Sequence, residues 1–499
     1  VFDGDRSISE SHPAMSEQPL RVGYLPGLSE HEVSWETMSL GSEAQPLRVE
    51  MPRLTSEQWD ALTTRVRRAA REQLKTLPVT DIIRAIDRAV QRWLDPSDPL
   101  RQRADSCMAR LTGWDAEMVR QGLNATFKTY RAMQLQRFVA EDLDNPKMLD
   151  EFQPRPSGGW ARALGPDLLV HVWAGNVPGL PLWSLISGLL VKAGSVGKVA
   201  RAEPLMAGWF AQTLAEVEPR LKDCMAIVWW PGGEVATEQQ VLDLADHVLA
   251  YGSDATMADL RTRVPVGTPL QLHGHKLSLG LVSRQALGVR EAAQCARLAA
   301  LDVVRHEQMG CYSPQAFYVE RGGRVSPREW CDLLAVELSA LQQRYPRPTP
   351  DLSQALEVSA WIQSRAWSDE TQHTTVLGHE EDDWRVLYTE QARELSPSAL
   401  LRSVEVMAVD DLHQVPSLIE PRRAWLQTVG VATSPERLLD LVASLGQVGV
   451  TRVCALGSMT APQAGWHHDG RFSLLDLVRI VEVDATALVQ SDAFAPYRD

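Results

Sequence analysis

The chain has 499 residues, six of them cysteine, and carries 50 Lys+Arg against 64 Asp+Glu for a formal net charge of -14. That length accommodates two or three domains with full cores, so neither a metal nor a disulfide staple is needed for stability. The acidic balance disfavours a binder of phosphate backbones, and no nucleic-acid partner is expected.

Cys107, Cys224, Cys295, Cys311, Cys331 and Cys454 form no CxxC pair and no zinc spacing. This argues for free thiols in a reducing compartment and a cytoplasmic protein. The longest apolar run, "LPLWSLISGLLV" from Leu180, carries a proline and two serines and falls short of the roughly 18 residues of a membrane span. No basic region followed by an apolar core marks a secretory signal at the N-terminus.

In chain order, residues 1–50 are rich in Ser, Glu and Pro and read as a poorly structured segment. From about Leu54 to Arg137, runs such as "SEQWDALTTRVRRAAREQL" and "VTDIIRAIDRAVQRWL" place apolar residues three and four apart, which predicts helices. The basic stretch "RVRRAAREQLK" reads as a solvated helix face or as a patch for an acidic partner. After the break "PRPSGGW", short apolar runs alternate with amphipathic segments. Strands are expected at "LLVHVWAG", "VGKVAR", "MAIVWW", "HVLAYG" and "PLQLHG", with helices between them. Strand and helix in alternation at this spacing predict parallel βαβ units and a Rossmann-like doubly wound sheet.

A second α/β block follows. The helix "REAAQCARLAALDVVRHEQM" leads to Cys311, then come the strand "AFYVE", two helices, β-like runs through "LLRSVEVMAV", and a further strand, helix, strand unit ending at "RVCALG". The expected organisation is a helical lead-in with a nucleotide-binding unit over 51–275, a catalytic α/β unit over 276–460 and a tail over 461–499. In that tail "LLDLVRIVEVD" suits an edge strand or an inter-subunit arm.

Three stretches stand where strands of the first block end, the place where open α/β sheets bind ligands. Asn176 lies in "WAGNVPG" and reads as a ligand-facing amide or as a turn residue. Lys198 lies at a strand end, where an ammonium must reach a ligand or the surface because burying it unpaired is costly. Gly252 and Ser253 occupy a strand-to-helix turn able to hold a phosphate, a weak signal in the absence of a full GxGxxG. Cys311 sits at a helix-to-strand junction and reads as a small buried hydrophobe or as a nucleophile.

The order of these motifs, "NVPG", then Lys198, then "AYGSDA", then "GCYSPQ", resembles the aldehyde dehydrogenase superfamily. With the terminal "GWHHDG", it resembles the acyl-CoA reductase (LuxC) family within it, from about residue 160 to the C-terminus. The resemblance implies an α/β fold of the aldehyde dehydrogenase kind with a small oligomerisation element, and a homo-oligomer. It also implies NADPH-dependent reduction of a fatty acyl thioester to the aldehyde. The acyl donor would be acyl-CoA or a protein-bound acyl group, with an acyl-protein synthetase or acyl carrier protein as partner.

On the same likeness Cys311 is the nucleophile, and Asn176 with the Cys311 backbone N–H holds the oxyanion. Lys198 contacts the adenosine ribose and Gly252 with Ser253 the pyrophosphate. Arg201 replaces a glutamate that favours NAD, so NADPH is expected over NADH. Glu394 in "RELSP", one residue short of the family spacing, matches the glutamate that holds the nicotinamide ribose. In the "LQLHGHK" stretch the position of the water-activating glutamate holds Leu272, which suits a reductase. His273 and His275 read as proton donors or as structural histidines. The adjacent histidines of "HHDG" lack partners at ligand spacing, so no metal is expected. The alternatives are an NAD(P)-dependent aldehyde dehydrogenase, CoA-acylating or hydrolytic, and a catalytically silent scaffold of the same fold.

Overall fold

The computed structural model describes residues 18–42, 45–367 and 374–496. Its first elements are strands: β1 (Leu20–Arg21), β2 (Ser34–Leu40) and β3 (Leu47–Arg53), ordered β1-β3-β2. The expectation of a poorly structured segment over 1–50 is therefore corrected from Leu20 onward, while residues 1–17 lie outside the described residues. The signal was the period-two burial of Leu47, Val49 and Met51 in a stretch whose composition is polar overall.

Five helices follow: α1 (Ser56–Glu72), α2 (Val79–Leu94), α3 (Pro99–Thr112), α4 (Ala116–Lys128) and α5 (Ala132–Leu143). A capping box between Thr55 and Gln58 starts α1. Four of the five cations in the basic stretch on and just after this helix are paired within the chain: Arg65 with Asp223, Arg67 with Asp246, and both Arg71 and Lys75 with Asp167. Those charges fasten the helical lead-in to the next domain, which leaves little of them for an acidic partner.

The short strands β4 (Gln153–Pro154) and β5 (Trp160–Leu164) lead into the first large sheet. It comprises β6 (Leu168–Val172), α6 (Leu180–Leu190), β7 (Gly194–Lys198), α7 (Met206–Val217), β8 (Met225–Val228), α8 (Val235–Leu244), β9 (His247–Tyr251), α9 (Asp254–Arg263) and β10 (Leu270–His273). All five strands are parallel in the order β10-β9-β6-β7-β8. The inner strand β6 and β8 are buried along their length, as parallel strands covered on both faces must be, while the edge strand β10 alternates buried and half-buried residues.

Three residues carry the chain from β10 to a second sheet. Its elements are β11 (Leu277–Val282), α10 (Val289–Val304), β12 (Pro314–Glu320), α11 (Pro327–Arg344), α12 (Leu352–Trp367), β13 (Thr375–Leu377), β14 (Arg385–Thr389), β15 (Ser403–Val409), α13 (Val415–Ile419), β16 (Leu426–Ala432), α14 (Pro435–Gln447) and β17 (Arg452–Ala455). The order is β13-β14-β15-β12-β11-β16-β17, with only β13 antiparallel to its neighbour. The fold is mixed α/β with two large sheets, the first all parallel and the second parallel except for its edge strand β13.

The tail does not stand apart. Leu474 and Leu477 join the core that α2, α5 and α6 share, and buried Asp142 accepts a hydrogen bond from the Leu474 amide. Beyond them β18 (Arg479–Val483) pairs antiparallel with β5 of the same chain, and α15 (Ala485–Asp492) ends the described chain. Among the described residues no helix is long and apolar enough to cross a membrane.

Candidate active site

The short link from β10 to β11 sets the carboxyl ends of the first sheet against the amino ends of the second. A cavity of about 470 Å³ lies between them. Asn176 (after β6), Tyr251 to Ser253 (at and after the end of β9) and His273 (end of β10) line one side. Leu277, Cys311, Gln315 and Gln427, at or before the starts of β11, β12 and β16, line the other. The structure thus brings Cys311, Asn176, Gly252 and Ser253 to one cavity.

Cys311 is held by backbone geometry that few sequences adopt. His306, Glu307 and Gln308, between α10 and the cysteine, all have left-handed backbones, with φ of 54, 51 and 62°. Leu400, Leu401 and Arg402 form a second such turn, with φ of 57, 55 and 60°. Non-glycine residues in this region cost on the order of 1 kcal/mol or more each, so the surroundings must over-determine them.

The two turns lock onto one another. The Arg402 guanidinium donates to both Glu307 carboxylate oxygens, at 2.8 and 2.5 Å, and to the Tyr345 carbonyl at 2.8 Å. The Gln308 amide accepts from the Ser403 N–H at 2.9 Å and donates to the Ser403 and Pro314 carbonyls at 3.0 and 2.7 Å. Gly310 completes the approach, because a Cβ there would lie 2.4 Å from the Tyr312 ring. Ser278 on β11 then donates to the Cys311 carbonyl at 2.7 Å and accepts from the Thr428 N–H at 3.2 Å.

Asn176 reaches across from the first sheet. One of its amide N–H groups donates to the Met309 carbonyl at 2.7 Å, which fixes the side chain beside the cysteine loop and leaves a second N–H.

The electrostatics do not favour a resting thiolate. Burial, and then the charge of Asp469, push the half-buried Cys311 thiol up to about 11, against help from Gln427 and Lys276. Burial alone would raise the Asp469 carboxyl too. The hydrogen bond from His273, with His468 and Lys276 nearby, overrides that and holds it well below the usual carboxylate range.

This cluster includes residues that sequence reasoning left aside. His273 Nδ1 lies 2.7 Å from Asp469 Oδ2, and the Gln427 amide donates to Asp469 Oδ1 at 2.7 Å. The ring of His273 stacks between Tyr251, at 4.7 Å between centroids, and His468, at 4.3 Å.

Two expectations are corrected here. The residue at the end of β10 that faces the cavity is His273, because side chains alternate along a strand and Leu272 packs instead among the hydrophobic residues of the first sheet. The cavity therefore receives, beside the position read as the glutamate's, the imidazole of His273, one of the two histidines read as proton donors or as structural. The terminal "HHDG" also does find a partner: His273, His468 and Asp469 each bring one ligand-type atom within 4.8 Å of the others. Asp469 can turn toward His273 because it adopts a left-handed conformation, with φ of 54°.

The cofactor candidates are dispersed. Lys198 ends β7 with its ammonium 5.4 Å from the Trp230 ring centroid, a cation–π arrangement. Arg201 lines a second cavity of about 640 Å³ with Trp114, Glu307 and Arg347, which adjoins the first across Asn176 and Met309. Glu394 is exposed and borders neither cavity; Pro397 and Ser398 line the first one instead.

Two parallel sheets meeting at a cysteine define a protein with the aldehyde dehydrogenase fold. Solved structures agree: aldehyde dehydrogenase 21 of Physcomitrella patens superposes with a TM-score of 0.71 at 13% identity, covering 94% of this chain and 99% of that one. The NADP-dependent glyceraldehyde-3-phosphate dehydrogenase of Bacillus halodurans gives 0.70 at 12% identity, covering 94% and 100%. Within that class the model of the acyl-CoA reductase (LuxC) family matches residues 74–480, and the chain belongs to this family. Among its relatives is the long-chain acyl-protein thioester reductase of Aliivibrio fischeri, 24% identical over 81% of this chain and 82% of the relative. That of Vibrio harveyi is 21% identical over 85% and 89%.

The Glu307–Arg402 pair generates a test. Arg402→Met leaves a buried carboxylate without its guanidinium and is expected to destabilise the protein by about 3–5 kcal/mol. Thermal denaturation followed by circular dichroism reads this as a lowered Tm, and an unchanged Tm contradicts the clamp.

Proposed function

We propose that the chain is an NADPH-dependent reductase that converts a fatty acyl thioester, presented as a CoA ester or on a protein, to the aldehyde through an acyl-cysteine at Cys311. The observation that carries this reading is the meeting of a thiol and an anchored amide donor at one cavity, Cys311 on one wall and Asn176 on the other. Membership of the acyl-CoA reductase (LuxC) family supports the substrate class, as do relatives named as long-chain acyl-protein thioester reductases.

The Cys311 sulfur attacks the thioester carbonyl and expels the thiol, which divides one difficult reduction into two steps. The second N–H of Asn176 and the backbone N–H of Cys311 hold the oxyanion as it forms. Because the Asn176 side chain is already fixed by Met309, it reorganises little when charge develops.

The strand ends fit a nicotinamide dinucleotide. At Gly175, Gly252 and Gly274 a Cβ would meet neighbours at 2.9, 3.3 and 2.6 Å, so the backbone there is bare and close-packed, while Gly232 and Gly233 after β8 have open space around them. Lys198, Gly252 and Ser253 would hold the dinucleotide, and Arg201 would favour a 2′-phosphate from the adjoining cavity. When bound in its reduced form the cofactor supplies hydride to the acyl carbon. Glu394 has no part in this reading, given its exposed position.

An acyl-protein synthetase or acyl carrier protein is the corresponding donor partner, in the cytoplasm. A homo-oligomer would form along the exposed strand β18, where Ile480 is 40% exposed. A hydrolytic aldehyde dehydrogenase draws on His273 as a base for water, and product analysis separates the two readings.

With a long-chain acyl-CoA and NADPH, aldehyde is expected to form in step with free CoA and to be absent with Cys311→Ala. Free fatty acid formed without NADPH consumption overturns the reductase reading. Asn176→Ala is expected to lower the rate of aldehyde formation about 10²–10³-fold, the cost of one oxyanion donor. Arg201→Glu is expected to shift the preference from NADPH toward NADH in steady-state kcat/KM, and an unchanged ratio removes Arg201 from cofactor selection.

A further inference from the structure

Cys311 presents a chemical difficulty: a thiol held up to about 11 by burial and by Asp469 is neutral near pH 7, yet acyl transfer needs its electron pair. The same cavity contains a nitrogen suited to take the proton. His273 Nδ1 is engaged by Asp469 at 2.7 Å, which leaves Nε2 with no hydrogen bond among the described residues. The ring is 5% exposed, is clamped between Tyr251 and His468, and lines the cavity together with Cys311.

Asp469 is itself fixed. Its second oxygen accepts from Gln427, which lines the same cavity as Cys311. Amide, carboxylate and imidazole thus form one connected set, drawn from β10, β16 and the turn at His468–Gly470, in the cavity that the Cys311 sulfur shares.

We propose that His273, oriented by Asp469, carries the proton in the acyl-transfer half-reaction at Cys311. The inference rests on the reading of Cys311 as an acyl acceptor. As the sulfur–acyl bond forms, the thiol proton passes to His273 Nε2. As the carbon–sulfur bond to the departing thiol breaks, that proton passes to the leaving sulfur. Nothing is oxidised or reduced, and the imidazole ends neutral, ready for the next transfer. Asp469 is a positioning residue, keeping the Nδ1–H tautomer in which Nε2 is the acceptor.

The other candidates in the cavity lack this arrangement. The His275 ring is exposed and forms no hydrogen bond among the described residues. His468 Nε2 stands 4.0 Å from Asp469, too far for a hydrogen bond, and burial drives its imidazole down to about 3. Lys276 lies 3.9 Å from the same carboxylate and offers no acceptor.

Two rates on the same thiol test the proposal without any cofactor. Acylation of Cys311 by a long-chain acyl-CoA is followed by intact-protein mass spectrometry, and alkylation by iodoacetamide, which needs only thiolate, is followed in parallel. His273→Ala is expected to slow acylation at least tenfold, with partial restoration by added imidazole. Asp469→Asn is expected to slow acylation while alkylation holds steady or quickens, because the repelling charge is gone. Equal loss of both rates with no imidazole rescue means a structural role and overturns the proposal, as do variants acylated at the wild-type rate. Absence of acylation in the wild type instead removes the reading of Cys311 as an acyl acceptor.

Discussion

The position of Cys311 depends on one buried ion pair. Glu307 and Arg402 are almost fully withdrawn from water, and the pair joins two left-handed turns that would otherwise relax. Desolvating two charges is expensive, and the Coulombic return rarely exceeds it unless the remaining donors are satisfied. Here the guanidinium also serves the Tyr345 carbonyl, and Gln308 beside it ties both turns through Ser403. What this arrangement provides is geometry: a cysteine three residues past a turn that cannot unwind without exposing a charge to an apolar interior.

A second constraint is topological. Parallel sheets gather their loops at the carboxyl ends of the strands. A short crossing from β10 to β11 makes the carboxyl ends of one sheet face the amino ends of the next, so each wall of the cavity comes from a different domain. The first sheet contributes bare glycine turns and the Asn176 amide; the second contributes the thiol, whose backbone buried Ser278 holds from behind, and Gln427. The turn at His468–Gly470 closes the arrangement from the C-terminal region and brings the only carboxylate among the described residues lining the cavity, which is why that region cannot be treated as a mere tail.

The alternation of strand and helix, and the burial of parallel strands, were written in the residues as periodicity, and both sheets follow from it. The placement of Cys311, Asn176, Gly252 and Ser253 at one cavity was legible because each sits at a strand or helix end, where sequence spacing and spatial position coincide. Legibility failed where position depends on distant packing. His273 and Asp469 are 196 positions apart, and no local pattern shows that they touch. Leu272 was placed at the base position by aligning motifs, whereas the pleat of β10 turns the next residue to the cavity. The strands at Ser34–Leu40 and Leu47–Arg53 were hidden by a polar composition that masks an alternating buried face. The basic run on α1 resembled a docking patch because its aspartate partners lie in later elements.

Where acyl groups attach decides whether Cys311 is the acyl acceptor. Peptide mapping by mass spectrometry after a short exposure to long-chain acyl-CoA, quenched before reduction, reads this directly. A hydroxylamine-labile acyl group on the peptide carrying Cys311, with Cys107, Cys224, Cys295, Cys331 and Cys454 unmodified, is the predicted result. An acyl group on a different cysteine, or on a serine or lysine in place of Cys311, contradicts it.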